Sequence, residues 1–381
     1  MTHRPSRLAR RHFIAFVAAA AAAIAPQAHA QSSTPIKIGA ILDQSGPVAP
    51  LGQFTRIGID MALKEVNAAG GVRGRPIQLE VLNAESKPDL AASLAIRLSG
   101  DADVMAIIGG NFASSSNSIG ATVEKQAIPY ITPTALLNDA QAKWKYTFFT
   151  LAEFSDMAKQ ILVYAQKKGY KKAGLIRVER EYGEQGSKFL HQFAAQYGVT
   201  LVAEERGADG DRDFSAQLTK IRQANPDFVV VWFANPGGSL VLKNARQLGM
   251  TQPMMAPISM DGSVTIKLGG PAAEGVVITS QIAGSEPLPR QKAFIDAYAK
   301  AHPDAPAPNS FEAVGYDLVK MTVEALKKVD PPYTRAKVRD AIAALDYQGA
   351  GTVVKYKNRN APSEETLVMI QASKGHFVIA K

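Results

Sequence analysis

The sequence predicts an α/β protein of two αβα lobes with parallel-sheet cores, and three observations predict it. Residues 36–82 read as strand, loop, helix and strand in close succession. Short apolar runs then keep alternating with helix-period segments through most of the chain. At 381 residues the chain also exceeds what one core usually serves, since domains cluster near about 100–150 residues.

The first strand spans residues 36–42 and runs into a loop over 43–52 that carries Ser45-Gly46-Pro47. In the helix that follows, Ile59, Ala62, Leu63 and Val66 fall at i, i+3, i+4 and i+7, so one apolar face must pack on a sheet. Gly70-Gly71 supplies the left-handed conformation that ends it, and residues 77–82 form the second strand. Such a crossover is right-handed, and ligands sit beyond the carboxyl ends of strands joined this way. Ser45 is therefore a candidate ligand contact.

Further strands are expected at 104–108, 128–131, 173–178, 200–205, 228–233 and 275–279, with helices at 157–168, 186–197, 214–224 and 240–248. This alternation implies parallel sheets covered on both faces. No repeat, low-complexity tract or Pro/Gly linker interrupts it, and lobes without a linker exchange the chain more than once. The last third differs. Helices are expected at 290–301, 311–329 and 335–344, then short strands around 352–356, 367–370 and 377–379, and sequence assigns these to neither lobe.

The N-terminus indicates export. Arg4, Arg7, Arg10 and Arg11 precede an apolar run over 13–25, and Ala28-His29-Ala30 is an A-x-A cleavage site, so residues 1–30 read as a signal peptide. The run is too short to span a membrane. Arg10-Arg11-His12-Phe13-Ile14 resembles a twin-arginine signal without the preceding Ser or Thr, so that route and ordinary secretion both stay open. The chain has no cysteine, hence no disulfide, thiol nucleophile, zinc-thiolate cluster or lipoprotein anchor, which points to a free periplasmic protein. The net charge of +9 includes the four leader arginines and is otherwise spread thinly, so nucleic acid is not an expected partner.

Several residue groups stand at strand ends. Ser114, Ser115 and Ser116 follow the strand at 104–108 and open a helix, where free N–H groups and the helix dipole favour an anion; a serine there can equally be a helix cap. Thr132-Pro133-Thr134 follows the next strand, as a cleft wall or a plain turn. Tyr182, Trp232, Asn235 and Phe311 occupy comparable places, where aromatics serve cores as often as ligands. Nothing suggests catalysis, a metal or a cofactor. His191, His302 and His376 are scattered, and no nucleophile elbow, Walker loop or dinucleotide fingerprint follows a strand.

The runs K-I-G-A-I-L-D-Q-S-G-P at Lys37, A-A-G-G-V-R-G-R-P-I at Ala68, I-I-G-G-N-F-A-S-S-S at Ile107, I-P-Y-I-T-P-T at Ile128, E-Y-G-E-Q-G at Glu181 and A-V-G-Y-D-L-V at Ala313, in this order, resemble the leucine/isoleucine/valine-binding family of periplasmic solute-binding proteins. The resemblance implies the type I periplasmic-binding fold, two lobes joined by a three-crossing hinge near Leu151, Ser280 and Gln348. Residues 31–151 and 281–348 would form the N-terminal lobe, and 152–280 and 349–381 the C-terminal lobe. It also implies a monomeric receptor, not an enzyme, whose partners are a small-molecule ligand and an inner-membrane ABC permease with its ATPase subunits.

Family members bind the ligand carboxylate with a serine of the loop that here holds Phe112, Ser114 and Ser115. A strict count puts Ala113 at that serine's place and favours Ser114. The family's tyrosine that covers the ligand corresponds to Tyr182. Two departures bear on the ligand: Leu136 stands where amino-acid binders carry a threonine against the ammonium, and Ile258 where they carry its glutamate partner. A buried ammonium without a carboxylate costs several kcal/mol, so the expected ligand is an apolar or aromatic carboxylate. Asp261, if a bulge brings it in, would restore branched-chain amino acids or amides as the alternative. An exported hydrolase or a ligand-sensing subunit are readings from other classes.

Overall fold

The computed structural model describes residues 34–136, 140–284, 287–356, 360–362 and 367–381; the expected signal peptide lies outside them. In chain order, the first elements are β1 (Ile36–Leu42), α1 (Ala49–Ala68), β2 (Ile77–Asn83), α2 (Pro88–Gly100), β3 (Val104–Gly109), α3 (Ala113–Gln126), β4 (Tyr130–Thr132) and β5 (Thr147–Phe149). Then come α4 (Phe154–Lys167), β6 (Lys172–Val178), α5 (Glu181–Phe193), β7 (Thr200–Gly207), α6 (Ser215–Gln223), β8 (Phe228–Trp232), α7 (Gly237–Gln247), β9 (Met254–Ala256), α8 (Ser263–Gly269) and β10 (Val277–Ser280). The chain ends with α9 (Pro289–Ala301), α10 (Ser310–Lys327), α11 (Arg335–Ala343), β11 (Asp346–Gln348), β12 (Val353–Lys355), β13 (Val368–Ser373) and β14 (His376–Ile379).

Two sheets result. One is all parallel in the order β2-β1-β3-β4-β5. The other has the order β14-β13-β10-β9-β8-β6-β7, parallel from β10 to β7 and antiparallel at β13 and β14. Strand alternation gives each sheet two buried faces. In β1, Ile38, Ala40 and Leu42 join a core with α1 and α10, while Ile41 joins Ala91, Leu98, Ile119 and Val123 of α2 and α3.

Helix α1 buries Ile59, Ala62 and Val66, and Gly70 and Gly71 leave it at φ 89° and 71°. Its partner is α10, and the two backbones nearly touch. A Cβ on Gly58 would lie 1.9 Å from the Glu312 carbonyl oxygen, and one on Gly315 2.2 Å from that of Thr55. Neither neighbour can yield, because both are backbone.

Expected and observed elements agree in kind and differ at their ends. The helix expected at 186–197 begins earlier, at Glu181, and gives way to a 3-10 turn at Ala194–Tyr197. Strands β5, β9 and β11 were not expected, since three residues show no period. One expectation needs correction. The segment after Gln348 does not cross to the second sheet there: β12 pairs with β11, Tyr356 donates its hydroxyl to the Phe149 carbonyl, and the Asn360 carbonyl accepts from Phe149 N–H. The chain pairs with the second sheet at β13.

At the crossings sits Gln281, fully buried. Its Oε1 accepts from Ala152 N–H at 3.2 Å, and its Nε2 donates to the Thr150 and Gly351 carbonyls. Its own N–H donates to Ser310 Oγ, and its carbonyl accepts from Gln291 Nε2. Replacing Gln281 by Leu keeps the volume but strands the Ala152 N–H and the Gly351 carbonyl. Chemical denaturation should then show a loss of about 2–4 kcal/mol; a loss under about 0.5 kcal/mol would mean the crossings are held by other contacts.

Candidate functional site

Between the two sheets, at the carboxyl ends of β1, β3, β4, β6 and β8, the loops enclose a cavity of about 50 Å³. Its first wall is built by the turn after β3. Gly109 and Gly110 adopt φ 113° and 76°, and a Cβ on them would strike the Ile41 carbonyl oxygen at 2.1 Å and the Tyr130 hydroxyl at 2.2 Å. Only glycine fits both positions, and the turn delivers Asn111, Phe112 and Ala113 to the cavity at the first turn of α3.

Asp43, at the end of β1, fixes this turn from beneath. Its carboxylate accepts from Phe112 N–H (2.9 Å), Ser86 N–H (3.0 Å) and Ser115 Oγ (3.2 Å). Burial pushes the Asp43 carboxyl up, against the pull of these bonds. The remaining N–H groups of the first turn have no partner within the helix, as at any helix start.

The facing wall comes from the second sheet. Tyr182, in the first turn of α5, turns its ring to the cavity, with Phe154 packed edge-on at 5.4 Å. Its hydroxyl donates to Ser259 Oγ at 2.5 Å, and Ser259 Oγ–H donates in turn to the Phe233 carbonyl. Burial pushes this phenol up, so it stays neutral. Beside it the Arg180 guanidinium lies 5.1 Å from the Tyr182 ring centre and 4.9 Å from that of Phe112 on the first wall. Arg180 Nε pairs with Asp209 at 2.7 Å. Val48, Leu51, Leu151, Met157, Ile258 and Phe311 complete an apolar lining. Among the described residues that line the cavity there is no carboxylate.

The sequence candidates thus divide. Phe112, Thr134, Tyr182, Ile258 and Phe311 line the cavity together. Ser114 is half-buried on α3 outside the lining, and Ser115 is buried with its hydroxyl on Asp43. Thr132 lies one layer down, bonded to Ser116 and the Gly110 carbonyl. Trp232 backs Tyr182 at 6.1 Å, with its ring against Gly186. Asn235 spends its amide on Thr265 and Ser239. Ser45 sits on an exposed loop, accepting from Asn83, and Leu136 is half-buried outside the lining.

Asp261 does not reach the cavity. It is buried against the start of α10, where its Oδ2 accepts from Ser310 N–H (3.0 Å), Ser310 Oγ (2.6 Å) and Ser280 Oγ (2.7 Å), and it borders a separate hollow beside Asn309 and Phe377. Burial pushes its carboxyl up, opposed by those bonds. Sequence reasoning missed Asn111, Arg180, Phe154, Met157 and Ser259. Asn111 and Arg180 had a signal, since each is a polar residue within two positions of an aromatic candidate at a strand end. Phe154 and Met157 did not, because an apolar stripe reads the same against a core or a cleft.

No group of three or more metal-ligating side chains occurs among the described residues, and none of their helices is long and apolar enough to cross a membrane. Comparison with known proteins gives a consistent answer. The periplasmic binding protein family matches residues 35–376. The leucine-, isoleucine-, valine-, threonine- and alanine-binding protein of Pseudomonas aeruginosa is 26% identical over 352 residues, covering 91% of this chain and 90% of that one. The branched-chain amino acid transporter substrate-binding protein LivJ of Streptococcus pneumoniae, solved with isoleucine, superimposes with a TM-score of 0.82 at 25% identity, covering 91% of this chain and 100% of that one. A fatty acid ABC transporter substrate-binding protein of Thermomonospora curvata gives a TM-score of 0.81, also at 25% identity, with coverages of 91% and 92%. With its two sheets, its cavity between them and a family match along nearly the whole described chain, the protein belongs to the periplasmic binding protein family, and within it resembles the Leu/Ile/Val-binding members.

Proposed function

We propose that this protein is the periplasmic receptor of an ABC importer and that it closes on a small apolar or aromatic carboxylate. The observation that carries the ligand class is the cavity's charge: carbon on most sides, Arg180 on one wall, a helix N-terminus on the other, and no carboxylate among its described lining residues. A ligand carboxylate between Arg180 and the first turn of α3 would receive charge-assisted hydrogen bonds from both walls. A zwitterion would bury its ammonium with no anion to meet it. Branched-chain amino acids remain the second reading, because the relatives at 24–26% identity are named for binding them.

In this reading the lobes are residues 31–151 with 281–362, and 152–280 with the segment from β13 onward. The expected boundary at 348 is moved to follow the packing of β12 and Asn360. Export with cleavage after Ala30, by either route, would place a free monomer in the periplasm, where the closed lobes dock on an inner-membrane permease with its ATPase subunits. Family members bind solutes rather than transform them, and a receptor of this kind needs no catalytic group.

The cavity is smaller than the roughly 150 Å³ that holds a benzene ring, so a ring-sized ligand enters only as the walls part. Ligand contacts to both walls exist only after closure, which makes binding and closure one equilibrium.

Two measurements follow. In a thermal-shift panel, phenylpyruvate should raise the midpoint more than phenylalanine, and 4-methyl-2-oxopentanoate more than leucine. Ligand at about 100 times its Kd adds ~2.7 kcal/mol, a rise of several degrees; the reverse order would sink the carboxylate reading in favour of amino acids. The two serines should also separate. Ser115→Ala removes a buried bond to Asp43 and should cost about 1–2 kcal/mol of stability. Ser114→Ala should stay within about 0.5 kcal/mol of wild type, and equal losses in denaturant unfolding would contradict the assignment.

A further inference from the structure

One polar atom in the cavity has nothing to do in the protein alone. Asn111 lines the cavity and is 5% exposed, yet its Oδ1 is buried without a hydrogen-bond partner among the described residues. Its amide nitrogen is committed to the opposite side. Nδ2 lies 2.6 Å from Thr55 Oγ1 and 3.5 Å from the Leu51 carbonyl, both on α1. The Leu51 carbonyl can only accept, so the nitrogen faces α1 and the oxygen is left for the cavity.

A buried acceptor left unpaired costs about 1–3 kcal/mol, and a protein recovers that cost when a partner supplies the missing proton. The position cannot drift, because the two left-handed glycines before it and the Asp43 carboxylate beside it fix the turn. Other polar side chains of the cavity are already engaged, Tyr182 with Ser259 and Thr134 with Ser116, and Arg180, which spends its Nε on Asp209, can only donate.

We infer that Asn111 reads a neutral hydrogen-bond donor on the ligand, which makes the preferred substrate an apolar carboxylate bearing a hydroxyl group, a hydroxy acid rather than a plain or an amino acid. This rests on the carboxylate reading above and sharpens it. An ammonium would also donate to Oδ1, but it would share a cavity with the Arg180 cation and meet no anion, whereas a hydroxyl adds a donor without charge. A site built around a hydroxyl also discriminates strongly against the analogue that lacks it, because the acceptor is then buried unpaired again.

Calorimetric titration of matched pairs tests it: 2-hydroxy-4-methylpentanoate against 4-methylpentanoate, and 3-phenyllactate against 3-phenylpropanoate. In the wild-type protein the hydroxy member of at least one pair should bind about tenfold tighter or better. In Asn111→Leu that ratio should fall to near one, whatever the change in absolute affinity for the plain acid. The wild-type comparison stands even if the variant folds poorly. If the plain acids bind as tightly as the hydroxy acids, the role of Asn111 is overturned while the carboxylate reading survives; if neither member of either pair binds, both fall together.

Discussion

The structure depends on how one chain can pass between two sheets several times and still close as a unit. Every pass carries backbone out of a sheet, where its N–H and C=O groups lose their ladder partners, and these passes are buried. Gln281 resolves this locally. Its side-chain amide serves the residues on both sides of the first pass and the turn at Gly351, while its backbone is taken by Ser310 and Gln291. Asp317 does similar work at the neighbouring turn, accepting from the N–H groups of Ala350, Gly351 and Thr352 and from the Tyr347 hydroxyl. Gln281 and Asp317 thus satisfy buried backbone groups where the chain leaves the sheets.

What lies on either side of these crossings explains the site. The turn after β3 is shaped by sterics, two glycines where no side chain fits, and held by electrostatics, since Asp43 accepts from Phe112 N–H. The second wall is held by packing, with Trp232 behind Tyr182 and Gly186 giving the indole room. Between the walls the contact of Arg180 with Phe112 crosses the cleft, and cation–π contacts of this kind contribute only about 0.5–2 kcal/mol. That contact is one of several between the walls, which also share a continuous apolar cluster.

This division also accounts for what was legible in the sequence. Long elements announced themselves by period: β1 and α1 were recognisable residue by residue because each alternates or repeats against its own sheet. The order of motifs gave the family. Three-residue strands such as β5 and β9 carry no period, and the course of the chain after Gln348 depends on tertiary bonds of Tyr356 and Asn360 that no local pattern encodes. The site was half legible for the same reason. Phe112 and Tyr182 stand at strand ends, where topology predicts ligands, whereas Met157 and Leu151 line the cavity only because two lobes meet there. Asp261 shows the limit of counting along a sequence. Three residues from a family position, it lies beyond the cavity and caps the start of α10 instead.

Charge placement around the cavity then links specificity to closure. The first wall offers the start of a helix, but Asp43 sits directly beneath it and offsets part of the positive end of the dipole. An anion held by that wall alone would be held weakly. Arg180 belongs to the opposite wall, and its guanidinium lies over the Phe112 ring of the first. A carboxylate bound between them thus gains most of its electrostatic stabilisation in the closed state, which is the differential interaction a receptor needs if ligand is to shift its population. A ligand cation would face Arg180, itself paired with Asp209, and no carboxylate among the described lining residues. In the reading proposed above, the contacts that would favour a carboxylate are therefore the same ones that closure would complete.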